Sequence, residues 1–301
     1  MSDETQTKFQ IPLCDVGKKG AGFRVNNKID KDGNPELQRQ HVDQYKLSSD
    51  IDYQADLYAV VHGTVTPTGD RGVLIVIDFH FTSTPKGKRF RDVKLCVAFG
   101  RGDEPIGSAN DPVVGQIAPH GTFAMDASTQ KREETWEGHA SADATASLAK
   151  LGIGGSYTRK TTTDDKFYSI LNGKPWIQVR NDGDWNSADW HITENRKLKH
   201  GVPPSLRAAI ILSVPEEGKF RAELGMVAKI GGWFNFHKVK RTVGANTGLQ
   251  PVYFDTTEGK RKDFGPHLED VDKTNLFGCK LQTIGGAKVS RMAKLNWRRD
   301  C

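Results

Sequence analysis

Four side chains on two neighbouring apolar segments have the residue types needed for acid–base chemistry. Asp78 and His80 interrupt the segment VLIVIDFHFT, and Asp92 and Lys94 interrupt RFRDVKLCVAF. If the turn between the two segments is tight, His80 pairs with Asp92 and Asp78 pairs with Lys94. A histidine beside a carboxylate is the start of acid–base machinery, so a hydrolase on a β scaffold is one hypothesis.

The same four residues also fit the wet face of a sheet. They alternate with Val73, Ile75, Ile77 and Phe79, which would face the core. Opposite charges paired across such a face are ordinary stabilising neighbours that contribute about 0.2–1 kcal/mol each. Since no nucleophile can be assigned to them, we predict no catalytic residue and no cofactor.

The stretch DGDWNSADW begins like a calcium-binding loop, with Asp182, Asp184 and Asn186 at alternate positions. A calcium loop of this kind needs glycine at its sixth position and a bidentate glutamate at its twelfth. The sequence has Ser187 and Thr193 there. We interpret the stretch as a polar turn and predict no metal site.

Aromatic residues are interleaved with Lys and Arg in GWFNFHKVKR, residues 232–241. Such a stretch can stack on bases and neutralise phosphates, or lie at a lipid interface. The alternative is an edge strand whose aromatic residues face the core and whose lysines protect the edge. The binding residues predicted from this stretch and from GKRKDF are Trp233, Lys238, Lys240, Arg241, Lys260, Arg261 and Lys262.

The net charge of the chain is concentrated near its C-terminal end. The formal charge is +6, and from Gly232 onward there are 13 Lys and Arg residues against 7 Asp and Glu residues. This excess predicts an anionic partner such as nucleic acid or membrane headgroups, with a protein partner as a further possibility. The four scattered cysteines and the lack of a signal-like or long apolar run lead us to expect a cytoplasmic protein.

Period-two alternation of apolar residues predicts the architecture. DLYAVVHGTVT, VLIVIDFHFT and RFRDVKLCVAF are separated by turn-rich stretches, which predicts an antiparallel meander. LRAAIILSV and KFRAELGMVAKI flank PEEG and predict a second hairpin. We therefore expect a mainly β fold, an antiparallel β-sandwich-like body with few short helices.

The pattern further divides the chain into an irregular N-terminal arm (1–52), the β-sandwich body (53–231) and a basic C-terminal region packed on it (232–301). Residues 101–130 are expected to be loop-like with at most one short strand, and KFYSI and PWIQVR to be separate short strands. GGAKVSRMAKLNWRRD, residues 285–300, is interpreted as a short helix with one basic face.

The segment from Trp136 to Lys160, WEGHASADATASLAKLGIGGSYTRK, admits two structures. A helix is favoured by Ser141 as a cap and Gly152 as a stop. A strand pair is favoured by alanines at alternate positions and by the strand- and turn-like flanks. We favour the strand pair.

If this segment is a hairpin, its small residues and its Ser/Thr content resemble those of the membrane-inserting hairpins of β-pore-forming proteins. Such hairpins need an outward apolar band along about 9–11 residues per strand, and alanine methyl groups bury little area. The resemblance implies an alternative function, membrane binding or pore formation through residues 136–160. The main expectation is a soluble, intracellular, non-catalytic binding or interaction protein whose basic C-terminal surface meets an anionic partner.

Overall fold

The protein is all-β, and its two antiparallel sheets pack as a sandwich-like body. The computed structural model describes residues 27–29, 31, 33, 35–48, 51–83, 88–138, 157–178, 183–232, 236–244, 250–257, 262–263, 268, 271–287 and 292–294. The predicted fold class is confirmed, because alternating apolar residues bury one face of each strand.

Fifteen strands and one short α-helix occur within the described residues. The strands are β1 (His41–Ser48), β2 (Ile51–Thr64), β3 (Arg71–Ser83), β4 (Arg89–Arg101), β5 (Val113–Ala118), β6 (Gly121–Gly138), β7 (Tyr157–Trp176), β8 (Ser187–Thr193), β9 (Ser205–Ser213), β10 (Lys219–Gly231), β11 (Phe236–Val243), β12 (Val252–Asp255), β13 (Lys262–Asp263), β14 (Gly286–Ala287) and β15 (Met292–Lys294). Helix α1 (Leu281–Ile284) follows a 3-10 turn at Leu276–Gly278. No helix in the described part of the chain is long and apolar enough to cross a bilayer.

The first sheet has the strand order β1-β2-β3-β9-β14, with β13 beside β2 and β5 beside β9. The second has the order β11-β10-β4-β8-β7-β6-β15, with β12 beside β10. The facing sides of the two sheets form one large apolar cluster. Phe81 on β3 and Phe90 on β4 meet edge to face across it, with ring centroids 5.5 Å apart.

The outer side of the first sheet is also partly buried. Leu74 and Val76 on β3 lie under the segment that contains Leu276 and Leu281. Leu74 and Val76 share a face with Asp78 and His80, so that face, expected to be wet at the two ionisable positions, is covered at the two apolar ones. The apolar run VLIVI is continuous because both sides of β3 are covered at this level.

The predicted three-strand meander is only half right. β2 and β3 pair as expected, from Ile51–Ser83 to Thr64–Arg71, but β3 then pairs with β9. β4 belongs to the second sheet, between β8 and β10. Alternation specifies which side of a strand is apolar, and it does not specify the neighbours of that strand.

Four local predictions are wrong. LRAAIILSV and KFRAELGMVAKI form β9 and β10, which lie in different sheets and therefore make no hairpin. Part of the supposed loop 101–130 forms β5 and the beginning of β6. KFYSI and the first two residues of PWIQVR belong to one continuous strand, β7. The supposed helix at 285–300 contributes β14 and β15 instead, whose backbones complete sheet edges at β9 and β6.

The segment 1–52, predicted as an irregular arm, contains β1 at its end. β1 pairs with β2 from His41–Asp56 to Ser48–Ile51, and its Val42 side chain enters the core. The division into arm, body and C-terminal region itself stays a prediction.

Candidate functional site

The most unusual feature of the sheets is the length of the hairpin made by β6 and β7. The two strands have 18 and 20 residues and pair from Gly121–Gly173 to Gly138–Tyr157. β8 pairs with β7 only from Ile170 to Trp176, and β15 pairs with β6 only at 123–125. Among the described strands, residues 128–138 and 157–167 therefore pair only with each other, over about 35 Å.

The hairpin leaves the body at a bulge on β6. The register shifts between Met125 and Ser128, and Asp126 has a positive φ of 50°. A bulge of this kind bends a strand and increases its twist. It lies where β8 ends at Thr193 and the second sheet narrows to two strands.

Asn195, a fully buried side chain, holds the bulge and both strands together. Its Nδ2 donates to the Asp126 carbonyl at 2.7 Å, to the Ser128 hydroxyl at 3.0 Å and to the Phe167 carbonyl at 3.0 Å. Its own backbone N–H donates to the Ser169 hydroxyl at 3.0 Å. The root of the hairpin is thus fixed to the loop after β8 by one amide.

The predicted strand pair at 136–160 is described at its two ends. Trp136 pairs with Arg159, and Gly138 pairs with Tyr157. Residues 139–156 lie outside the described residues, so the choice between helix and strand is untested there. The described ends have the antiparallel register of a hairpin.

The predicted basic site is divided between different parts of the fold. Lys238 and Lys240 are exposed on β11, which pairs with β10 at the edge of the second sheet. Lys262 lies in β13, beside β2 in the first sheet. Trp233, Lys260 and Arg261 lie outside the described residues, and the assignment of all seven as binding residues stays a prediction.

Arg241 makes contacts that serve the fold. Its Nη2 donates to Asp43 Oδ1 at 2.5 Å and its Nε donates to Asp43 Oδ2 at 3.3 Å, so an ion pair connects β11 to β1 in the other sheet. The guanidinium also lies 4.6 Å from the ring centroid of Tyr45. The side chains of Arg241 and Asp43 are only 13% and 2% exposed. This geometry closes one side of the sandwich.

The predicted pairs between Asp78, His80, Asp92 and Lys94 do not form, because β3 and β4 lie in different sheets. Asp78 accepts two hydrogen bonds from Arg207 on β9, at 2.6 and 2.7 Å. Such a bidentate pair fixes the orientation of both side chains.

His80 and Asp92 are also placed apart. His80 is exposed, opposite Gln54 on β2 and Ser205 on β9. Asp92 contacts His191 at 3.2 Å and Lys229 at 3.4 Å on the outer side of the second sheet. These are cross-strand polar contacts on a sheet surface, as expected for polar residues on a wet face.

The calcium-like stretch is a structural turn where it is described. Asn186 is buried, accepts from the Gln178 backbone N–H at 2.8 Å and donates to the Gln178 carbonyl at 2.9 Å. Ser187 donates to the Trp176 carbonyl at 2.9 Å. In the described part of the chain, no three His, Cys, Asp or Glu side chains are close enough to share a metal ion.

No protein-family model matches the chain, and no curated protein matches it in sequence. Solved structures with a similar arrangement include the delta-toxin of Clostridium perfringens, at 10% identity and a TM-score of 0.35, covering 74% of this chain and 91% of the toxin. The NetB toxin of Clostridium perfringens in its membrane-inserted form matches at 8% identity and a TM-score of 0.28, covering 75% and 98%. A structure described as a pore forming protein matches at 9% identity and a TM-score of 0.31, covering 81% and 100%.

Proposed function

We propose that this protein perforates membranes by inserting the hairpin formed by β6, β7 and the segment between them. The observation that carries the proposal is the register of the two strands. It runs without a break from Ser128–Phe167 to Gly138–Tyr157, directly up to a segment whose apolar residues alternate at 140–146 and again at 149–153.

If the same register continues past Gly138–Tyr157, it places apolar residues of the two strands on one side of the hairpin, which the sequence pattern alone does not reveal. Ala142 would pair with Ile153 and Ala144 with Leu151, and residues directly opposite each other in an antiparallel pair share a face. The alanines would therefore share their side of the hairpin with larger apolar residues. The expected lipid-facing positions are Trp136, Ala140, Ala142, Ala144, Ala146, Ala149, Leu151, Ile153 and Tyr157.

The opposite face of such a hairpin would be polar. Ser141, Asp143, Thr145 and Lys150 fall there and would line water. Alternation of apolar and polar residues over about 9–11 residues per strand is what a membrane-spanning strand requires. Trp136 and Tyr157, opposite the hairpin end, would lie at the bilayer interface, where aromatic residues are enriched.

Insertion implies assembly of several copies. A single hairpin in lipid would leave the backbone N–H and C=O groups of both its edges without partners, at several kcal/mol for each group. Pairing each edge with the hairpin of another copy satisfies these groups. We therefore expect the active form to be a ring of chains.

The test uses dye-loaded vesicles of phosphatidylcholine and phosphatidylserine and a matched pair of variants. Ala142→Arg places a charge on the lipid face, which costs about 2–4 kcal/mol per chain near the bilayer centre. Ser141→Arg adds the same charge one residue away, on the water-lined face. We expect dye release by the parent chain and by Ser141→Arg and its loss in Ala142→Arg; equal activity of the two variants, or no release by the parent chain, would contradict the proposal.

A basic surface for an anionic partner and a cytoplasmic location remain separate proposals. Neither depends on the hairpin, because binding to heparin or nucleic acid requires no alternation in residues 140–153. Loss of heparin binding in a chain that still releases dye would therefore separate the two functions.

A further inference from the structure

An open groove of about 450 Å³ lies on the outer side of the second sheet, away from the hairpin segment. It crosses β11, β10, β4, β8 and β7, whose outward residues form rows perpendicular to the strands. One row contains Lys240, Val227, Lys94 and His191 in that order. The adjacent row runs from Gly225 through Cys96 and Asp189 to Lys174.

A glycine creates the depression. Gly225 lies opposite Cys96 on β4 and Thr242 on β11, and its missing side chain leaves a gap between those strands. A Cβ atom there would lie 3.8 Å from the Cβ of Cys96, an ordinary contact, so the packing around it leaves room for a Cβ. The bottom of the groove is open because residue 225 is glycine.

Three lysines border the groove. Lys94, Lys174 and Lys240 are all exposed, and the first two are close enough to Asp189 to act on its charge. Adjacent strands are about 4.8 Å apart, so Lys94 and Lys240, two strands apart, can reach one anion placed between them. His191 is engaged with Asp92, Arg241 with Asp43 and Lys174 with the Trp176 ring. Lys94 and Lys240 are therefore the cations of this lining that a ligand can use.

Asp189 is the acceptor at the bottom of the groove. Its Oδ1 is buried and has no hydrogen-bond partner among the residues that the structure describes. Burial raises the pKa of this carboxyl group, whereas the adjacent Cys96 thiol and the charges of Lys174 and Lys94 lower it. Burial also raises the pKa of the Cys96 thiol far above its usual range, so that thiol is not a nucleophile near neutral pH.

We propose that the groove binds a phosphorylated polyol, with its phosphate between Lys94 and Lys240 and one of its hydroxyl groups donating to Asp189. Lysine ammonium groups bind phosphate as point charges, without the fixed geometry of arginine. The unused carboxylate oxygen needs a donor, which a polyol supplies and a bare phosphate ion at neutral pH supplies poorly. This inference goes beyond the proposed membrane perforation, and the three residues that would contact the ligand, Lys94, Lys240 and Asp189, lie outside the hairpin.

The probes are glucose 6-phosphate, glucose and inorganic phosphate, titrated into the full chain by calorimetry. We expect glucose 6-phosphate to bind more tightly than either of the other two, and Lys240→Gln to weaken that binding about fivefold to tenfold. Lys238→Gln is the matched control, because Lys238 is exposed on the same strand and does not line the groove. Equal loss in both lysine variants, or equal affinity for all three probes, would overturn the proposal.

Two further measurements make the test specific. Asp189→Asn should reduce the preference for glucose 6-phosphate over inorganic phosphate, and Gly225→Leu should abolish binding while the far-ultraviolet circular dichroism stays unchanged. Vesicles of phosphatidylcholine with and without phosphatidylinositol 4-phosphate distinguish a lipid headgroup from a free sugar phosphate as the source of the ligand. Binding that survives Gly225→Leu would show that the groove is not the site.

Discussion

Replacing Arg241 distinguishes a structural role from a ligand-binding role for the basic stretch on β11. Arg241→Gln removes the donors that reach Asp43 at 2.5 and 3.3 Å and leaves that carboxylate, 2% exposed, between the two sheets. Breaking a buried ion pair by removing one partner costs about 3–5 kcal/mol. Arg39, whose charge also acts on Asp43, compensates part of this loss, so we expect about 3 kcal/mol.

The measurement is equilibrium unfolding in urea followed by tryptophan fluorescence. With a denaturant slope of about 3 kcal/mol/M, a loss of this size lowers the midpoint by about 1 M. Lys240→Gln, one residue away and exposed, should shift the free energy of unfolding by less than about 0.5 kcal/mol. Added salt should leave the Arg241→Gln effect nearly unchanged, because buried pairs are poorly screened.

A double-mutant cycle identifies the source of the loss. If the ion pair is responsible, Asp43→Asn combined with Arg241→Gln should cost less than the sum of the single changes, by about 1–3 kcal/mol. If Arg241→Gln is as stable as Lys240→Gln, or if the two changes add without coupling, the contact does not hold the sheets together. Arg241 would then be available to a ligand, as the sequence pattern predicts.

Three more predictions concern residues at the root of the hairpin and in the second sheet. Asn195→Ala should lower the free energy of unfolding by about 2–4 kcal/mol, because buried carbonyl groups lose their donor, and should speed hydrogen exchange at the hairpin root; unchanged exchange there would count against this role. Gly173→Ala should lower the melting temperature strongly, because an added Cβ would clash with the Pro119 carbonyl oxygen. Gly225→Ala should hardly change it, because a Cβ at residue 225 would make only ordinary contacts. Equal melting temperatures of the two variants would refute this. Because the pKa of Asp189 is raised, the folded chain binds this proton more tightly than the unfolded chain, so the stability contributed by Asp189 is complete below pH 3.8 and is lost as the pH rises through the folded pKa. Asp189→Asn should therefore gain stability relative to the parent chain between about pH 4 and 7. A stability difference that stays constant over this range would show that burial does not raise the pKa of Asp189.

The fold class follows from local alternation, which is visible in single segments. Phe220, Leu224 and Ile230 are buried on β10, while Lys229 between them is exposed, and the sequence pattern predicts this without a partner strand. One residue of slip would move every apolar side chain to the wrong face, so the pattern is strongly constrained by burial. This is why the sandwich-like body could be predicted.

Strand neighbours could not be predicted in the same way. β3 and β4 are consecutive and both alternate, yet they lie in different sheets, because pairing depends on residues more than a hundred positions away, such as Arg207 for Asp78. The partner of Arg241 is similarly remote, at Asp43. A basic residue in an aromatic stretch gives no sign of a buried carboxylate in the opposite sheet.

The hairpin shows both what local alternation predicts and what it cannot predict. Alternating alanines in the sequence indicate a strand, but the resemblance to membrane-inserting hairpins rests there on methyl groups alone. The register of Gly138 with Tyr157 is what brings Leu151 and Ile153 opposite the alanines when the pairing is continued. That register depends on the bulge at Asp126, which has no marker in the sequence.

The most direct test of membrane insertion is a scan with single cysteines carrying an environment-sensitive nitrobenzoxadiazole dye. The cysteines replace residues 140–146 one at a time, in a chain whose four native cysteines are serine. On addition of vesicles, the dye should move to a nonpolar environment at positions 140, 142, 144 and 146 and remain in water at 141, 143 and 145. A response without this period of two, or no response at any position, would contradict insertion of the hairpin.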